Sequence, residues 1–410
     1  MSDSILIFLQ LGVMLAAATF FGRLAQKIRI PAVIGEIFGG ILLGPSFAGH
    51  FIPGIFESLF PVSGTAVYGR EAVIKLGMLF FLFVTGMEIN PDHLKRKTRA
   101  AIWISVLGTA VPFAAGFLVV VLMPNLWTPY APHNLTDFAL FLGTALSISA
   151  LPVIARILTD LKLIRTEMGT LVLSTATVGD LIGWALFGCL LAGHHELTSH
   201  TAPSWILTGL TLLIFTAFIF RRWLPRQTAE DDSNVADAPA LVGPAIVMML
   251  AAGVLAQAAG AHAVFGAFLI GIILGRLQGA QKLHTAFRDL AVNFFAPVYF
   301  VSVGLKLNFH LHFDWKITGV IFLIACAGKI LGAVLGGWLG RLALREALAV
   351  GAALNARGAI EIILVSVAFE FGLIPEAIYL ALVLMALFTT LLSGPLIQFF
   401  LAPKGLIRHA

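Results

Sequence analysis

The chain has 410 residues, 59% of them hydrophobic and only 11% charged, whereas an average soluble domain is roughly 25% charged. This composition excludes an ordinary soluble globule, since apolar runs long enough to cross a bilayer recur from end to end and leave almost nothing for a separate soluble domain. The formal net charge of +5 does not indicate a nucleic-acid binder, because the basic residues are sorted by membrane side and report topology.

Thirteen spans are predicted, near residues 4–25, 32–49, 71–90, 99–123, 137–159, 166–192, 203–223, 240–259, 262–279, 285–306, 316–341, 346–370 and 376–401. The first has neither a basic leader nor a small-residue cleavage site, so it reads as a span and not as a signal peptide. Connections after the odd-numbered spans carry Arg23, Lys27, Arg29; Lys95, Arg96, Lys97, Arg99; Arg156, Lys162, Arg165; Arg221, Arg222, Arg226; Arg276, Lys282, Arg288; Arg341, Arg345; and Lys404, Arg408, which is 20 of the 26 Lys and Arg residues. The opposite side holds Arg70, Lys306 and Lys316. By the positive-inside rule the amino terminus lies outside and the carboxy terminus is cytoplasmic. Cys189 and Cys326 both fall inside apolar runs and read as small core residues, not as a disulfide or metal pair. No cofactor is implied.

Glu36 and Glu88 lie near span ends and read as interfacial acids. Span five, FLGTALSISALPVIARIL, places Thr144, Ser147 and Ser149 ahead of Pro152, where the lost backbone donor should break the helix. Span six, MGTLVLSTATVGDLIGWALFGCL, carries a single carboxylate, Asp180, near its midpoint. An ionised Asp at the centre of a membrane helix costs roughly 2.5–3.5 kcal/mol on insertion scales, so such acids normally face protein or a water-filled path. Thr177, three residues earlier on the same helix, is a candidate oxygen ligand beside it. His194, His195 and His200 fall in the connection after this span and read as solvated residues of an external loop.

The polar stretch 226–239, RQTAEDDSNVADAP, is a cytoplasmic linker that divides the chain into halves. Val33 to Gly44 (VIGEIFGGILLG) matches Val264 to Gly275 (VFGAFLIGIILG) at six of twelve positions. The order continues: FLFVTGMEIN ending at Asn90 resembles YFVSVGLKLN ending at Asn308, GTALSIS from Gly143 resembles GAALNAR from Gly351, and LVLSTATVGDLIG from Leu171 resembles LVLMALFTTLLSG from Leu382. Residues 32–192 therefore repeat as residues 262–401. Seven spans separate corresponding members, an odd number, so the copies run through the membrane with opposite orientation. The resulting expectation is an all-α membrane protein, one transporter unit over residues 1–410, with two inverted five-helix repeats and crossed discontinuous helices.

Span eleven holds Lys329 at the depth of Asp180, flanked by Gly328, Gly332, Ala333, Gly336 and Gly337, which let a neighbouring helix come close. Span twelve, the partner of span five, places Asn355, Arg357, Gly358 and Glu361 at its own break. Arg357 and Glu361 are four apart and share a helix face, so an internal ion pair is available.

Taken together, RIPAVIGEIFGGILLGPS, FLFVTGMEI, ALSISALPVIARIL, the mid-span Asp180 and GAFLIGIILGR resemble the monovalent cation:proton antiporter-2 family, which includes sodium/proton exchangers, Kef-type potassium efflux systems and plant cation/proton exchangers. The resemblance covers essentially the whole chain. It implies a homodimer, a dimerisation domain, and a mobile core with two crossed broken helices that moves like an elevator. It also implies a bacterial inner (plasma) membrane location, with Asp180 as the essential carboxylate and Lys329 as the facing base. The chain departs from the family at Gly179, where relatives carry Asp, Asn or Gln, so the exchange ratio does not carry over. It also ends at Ala410 without the nucleotide-binding domain of Kef-type members.

The expected function is exchange of sodium or potassium for protons at Asp180, with Ser149 and Thr177 completing an oxygen shell and Lys329, Arg357 and Glu361 as charge partners. A sodium-coupled symporter of an organic solute would use the same plan. A channel fits the paired buried charges less well than an alternating site does. An intramembrane aspartyl protease, suggested by Val178-Gly179-Asp180, needs a second carboxylate at the site, and no second mid-span Asp exists.

Overall fold

A computed structural model describes residues 2–28, 30–88, 99–130, 134–164, 166–196, 238–258, 262–275 and 280–401. Apart from four short helices of four to seven residues, the described elements are α1 (Asp3–Lys27), α2 (Ala32–Leu43), α3 (Thr65–Glu88), α4 (Arg99–Leu122), α5 (Leu135–Ser147), α6 (Leu151–Asp160), α7 (Glu167–Glu196), α8 (Ala238–Ala258), α9 (Ala263–Leu274), α10 (Ala280–Leu290), α11 (Ala296–Leu305), α12 (Trp315–Leu339), α13 (Leu344–Leu354), α14 (Ala359–Glu370) and α15 (Glu376–Leu401). A π-helical turn, Ala291–Phe295, joins α10 to α11.

There is no strand among the described residues, as expected of a bilayer protein whose backbone must satisfy its own hydrogen bonds. Among the described residues, seven helices are long and apolar enough to cross a membrane, or eight if α13 and α14, bent by 50° at their break, count as one span. The chain is a multi-pass integral membrane protein. The span expected at 203–223 and the linker residues 226–237 lie outside the described residues, as does His200. α7 runs on through Glu196, so His194 and His195 continue the helix instead of opening a loop.

The chain forms two compact units, each drawing on both halves of the sequence. One comprises Met1–Leu24, Gly35–Asn90 and Leu191–Lys306; the other comprises Ala25–Ile34, Pro91–Leu190 and Leu307–Ala410.

Within the first unit, close helix approaches rest on glycines. A side-chain carbon on Gly40 of α2 would run into the Val301 carbonyl of α11, and one on Gly304 of α11 would run into the Ile37 carbonyl of α2. The same holds between α9 and α3: Gly271 lies against the Phe83 carbonyl and Gly86 against the Phe268 carbonyl. In the sequence matches above, Gly40 corresponds to Gly271, Val301 to Phe83, Gly304 to Gly86 and Ile37 to Phe268. One helix crossing is thus built twice, each time from a segment of the first half and one of the second.

Overpacking a close backbone contact costs about 1–3 kcal/mol or more. Gly40→Leu and Gly271→Leu are therefore each expected to lower the unfolding temperature of the detergent-solubilised protein, and by similar amounts. A large loss from only one of them would show that the two crossings are not equivalent.

In the second unit, α12 lies along α4 with its small residues inward: Gly332 meets the Leu107 carbonyl and Gly336 the Ile104 backbone. This is the close approach expected from the small residues around Lys329. α12 starts at Asp314, whose carboxylate accepts the backbone N–H groups of Lys316 at 2.7 Å and Ile317 at 3.2 Å and the hydroxyl of Tyr130 at 2.6 Å. The Tyr130 hydrogen bond, ahead of the two backbone donors and the Lys316 charge, holds the Asp314 carboxyl below its ordinary value. A lowered folded-state pKa contributes stability that is present above the unfolded carboxylate range and disappears as acid protonates the folded group. Asp314→Ala should therefore cost about 0.5–2 kcal/mol, typical of a lost helix cap, with the difference from wild type vanishing at strongly acidic pH in thermal unfolding.

Candidate functional site

Two interrupted helices meet in the second unit. Ile148 to Ala150 separates α5 from α6 in extended backbone, and Asn355 to Gly358 separates α13 from α14. Pro152 stands in the first turn of α6, where a missing N–H is least costly. The two breaks are hydrogen-bonded to each other: the Ala150 N–H donates to the Ala356 carbonyl at 3.1 Å, and the Ser149 hydroxyl donates to the Leu354 carbonyl at 2.7 Å. Gly358 precedes α14, and a side-chain carbon there would strike Val153 of α6.

Ending α5 at Ser147 leaves its last carbonyls without helical partners, at the end of the helix where the dipole is negative. The two buried cations of the unit among the described residues are spent on those carbonyls. Arg357, with no solvent exposure, donates to the Ala145 carbonyl at 2.8 Å through one terminal nitrogen and to the Leu146 carbonyl at 2.8 Å through the other. Lys329, 2% exposed, donates to the Ser147 carbonyl and, at 3.2 Å, to the Gly108 carbonyl of α4. Charged donors at a helix C-terminus are the strong form of this interaction.

Arg357 also donates to Glu361 Oε1 at 2.6 Å, with both side chains fully buried; the expected ion pair forms, although Arg357 stands in the break and does not share a helix with Glu361. Three atoms of the crossing have no hydrogen-bond partner among the described residues: Glu361 Oε2, Arg357 Nε and Asn355 Oδ1. The amide nitrogen of Asn355 donates to the Cys326 sulfur at 3.2 Å, which gives that cysteine a polar contact beyond simple packing.

Thr177 is buried on α7 and donates to the Leu173 carbonyl at 2.8 Å. Ser149 and Thr177 thus both direct their hydroxyl hydrogens to backbone carbonyls, which leaves oxygen lone pairs as the remaining capacity of each. Asp180 is the fourteenth residue of α7; its side chain, like that of Pro152, lies outside the described residues. Glu88, read as interfacial, lies 3.4 Å from His284 and 3.8 Å from Arg288, both on α10. Among the described residues no group of three His, Cys, Asp or Glu could hold a metal ion.

The sequence reading missed Thr390. Its hydroxyl accepts the Arg357 N–H at 3.0 Å and donates to the Arg357 carbonyl, clamping the arginine's own backbone inside the break. A signal was present, because Thr390 corresponds to Gly179 when LVLMALFTTLLSG is matched to LVLSTATVGDLIG. A hydroxyl thus stands in the second half next to the position equivalent to the first-half carboxylate.

A family model described as sodium/hydrogen exchanger, transmembrane, matches residues 14–402. The chain is 33% identical over 403 residues to cation/H(+) antiporter 18 of Arabidopsis thaliana, covering 96% of this chain and 48% of that protein. It is 30% identical over 399 residues to the Na(+)/H(+) antiporter NhaS4 of Synechocystis sp., covering 96% of each, and 30% identical over 390 residues to K(+)/H(+) antiporter 1 of Saccharomyces cerevisiae, covering 91% of this chain and 44% of that one. It therefore spans about half the length of the plant and yeast relatives. Among solved structures, the sodium proton antiporter MjNhaP1 of Methanocaldococcus jannaschii shares the fold, with a TM-score of 0.66, 17% identity, and coverage of 98% of this chain and 100% of that one.

Proposed function

Since this chain belongs to the sodium/hydrogen exchanger transmembrane family, a family of transporters and not of enzymes, we propose that it exchanges a monovalent cation, sodium or potassium, for protons by alternating access, with Asp180 as the group that either ion loads. The observation that carries this reading is the crossing itself. Two broken helices are tied break to break, and the free carbonyl end of one is held by two buried cations supplied from the other half of the chain.

Half-helix ends at bilayer depth, with irregular backbone lining a site, are how secondary transporters handle ions. Arg357 and Lys329 neutralise the end of α5. Lys329 then pairs with Asp180 when no cation is bound and is displaced as one arrives. Ser149 and Thr177, their hydroxyl hydrogens already directed to carbonyls, offer the oxygen lone pairs a hard cation prefers. A proton or a cation on Asp180 cancels its charge, and the loaded site can change sides. The bare carboxylate resists crossing because its desolvation is uncompensated.

The doubled glycine crossing in the first unit supports the inverted repeat of 32–192 and 262–401, and with it the thirteen-span count, an outside amino terminus and a cytoplasmic carboxy terminus. On this reading, the unit containing the break-to-break crossing is the mobile core of an elevator-type cycle, the other unit is the scaffold and homodimer contact, and the protein works in a bacterial inner membrane. Relatives named for sodium and for potassium are about equally similar, so either ion fits.

The test uses purified protein in liposomes with an imposed pH gradient reported by a trapped dye. Sodium or potassium chloride should collapse the gradient, with lithium or caesium as comparison. Sodium-dependent uptake of an organic solute with no proton movement would overturn the antiport reading in favour of symport.

A further inference from the structure

Away from the crossing, the second unit holds an open cleft of about 630 Å³ built from three connections. One follows α4, one leads into α12, and one joins α14 to α15. All three follow even-numbered spans, on the side opposite the basic residues. Its walls are aromatic and acidic: Tyr130, Phe313 and Phe369 supply rings, Asp314 and Glu376 supply carboxylates, and His312 lies against Glu376. Among the described residues, no lysine or arginine lines it.

The walls are held in place. Phe313 packs edge-on against Trp315 at 4.6 Å, and Phe369 lies 4.9 Å from Tyr379. Tyr130 donates to Asp314 at 2.6 Å, and His312 Nε2 lies 2.8 Å from Glu376 Oε2. These ties fasten the three connections to one another. They also keep the two carboxylates at the cleft, although Lys316 acts on Asp314 by charge from outside the lining.

The chemistry selects a ligand class. The volume falls within the ~300–1,000 Å³ of small-molecule sites and is far larger than a bare alkali ion needs. The carboxylates already accept hydrogen bonds from a hydroxyl and backbone N–H groups and contact an imidazole, so they do not form the closed oxygen shell of a hard cation. Ring faces attract cations through their quadrupoles, and in water organic ammonium ions exploit this best because they are weakly hydrated and lose little on leaving the solvent. We infer that this cleft binds organic ammonium compounds bearing an aromatic or aliphatic body, at a site separate from the transport crossing.

The probe is benzylammonium, with benzyl alcohol and benzoate as neutral and anionic counterparts, titrated calorimetrically into the full-length protein in detergent. Benzylammonium should bind about tenfold or more tightly than benzyl alcohol, benzoate should not bind, and Glu376→Gln and Phe369→Leu should each weaken the ammonium about tenfold. Both variants should retain the wild-type gel-filtration profile and cation-driven proton movement, since neither residue belongs to the crossing. Equal affinity for the alcohol and the ammonium, no effect of either substitution, or displacement of benzylammonium by millimolar sodium or potassium would overturn the assignment. Displacement would place the amine in the transport site instead. The calorimetric result does not depend on antiport, so failure of either reading is visible separately.

Discussion

Asp180→Asn is expected to reduce cation-driven proton movement to the level of protein-free liposomes while leaving the protein folded. Asparagine keeps the size and the oxygen of aspartate but can neither release a proton nor balance a cation, so both half-reactions fail together. On stability the direction reverses. An ionised mid-membrane carboxylate costs roughly 2.5–3.5 kcal/mol on insertion scales; a neutral amide removes that cost while Lys329 keeps its bonds to the Ser147 and Gly108 carbonyls, so the melting temperature should hold or rise. Loss of transport without loss of stability distinguishes an ion-binding acid from one that glues helices together. Full activity in Asp180→Asn would sink the carboxylate mechanism; a large fall in melting temperature would assign the residue a structural role.

Arg357→Leu carries the second large effect, and here stability and transport should fall together. The substitution strips two α5 carbonyls of their donors and leaves the fully buried Glu361 without its partner. Breaking one side of a buried ion pair typically costs about 3–5 kcal/mol, because the remaining charge is uncompensated. Adding Glu361→Gln should recover part of that stability by removing the stranded carboxylate. It should not recover transport, because the Ala145 and Leu146 carbonyls stay uncapped and the end of α5 loses its alignment. Thermal unfolding of the two single variants and the double variant forms a closed cycle. Strict additivity would show that the 2.6 Å contact carries no coupling. Recovery of exchange in the double variant would show that Arg357 acts only by neutralising Glu361.

Much of this protein could be read from the order of its residues. The membrane class followed from composition, because apolar runs of bilayer length have no other stable setting. The break near Pro152 followed from backbone chemistry and the one near Gly358 from its repeat partnership with span five, and the two recur at Ile148–Ala150 and Asn355–Gly358. The Arg357–Glu361 pair, expected from a four-residue spacing on one helix, does form, but with Arg357 in the break ahead of α14 and only Glu361 on the helix. Family membership was legible in a handful of ordered motifs and is shown by the match over residues 14–402.

Tertiary structure decided which groups meet across large sequence separations. Arg357 lies 212 residues from the Ala145 carbonyl it caps, and Lys329 lies 182 from the Ser147 carbonyl. No local pattern specifies such partners. A carbonyl belongs to every residue, so sequence gives no indication of which ones a fold leaves unpaired; that depends on where a helix stops and what crosses it. The same holds for Thr390, whose hydroxyl was visible as a residue type but whose role as a clamp on the Arg357 backbone required α15 to be set beside the break. The sequence by itself determined the membrane setting, the family and the positions of the breaks, because these depend on composition, local backbone chemistry and the internal repeat. The three-dimensional fold alone decided that the second half of the chain supplies the charges that close the helix end left open by the first.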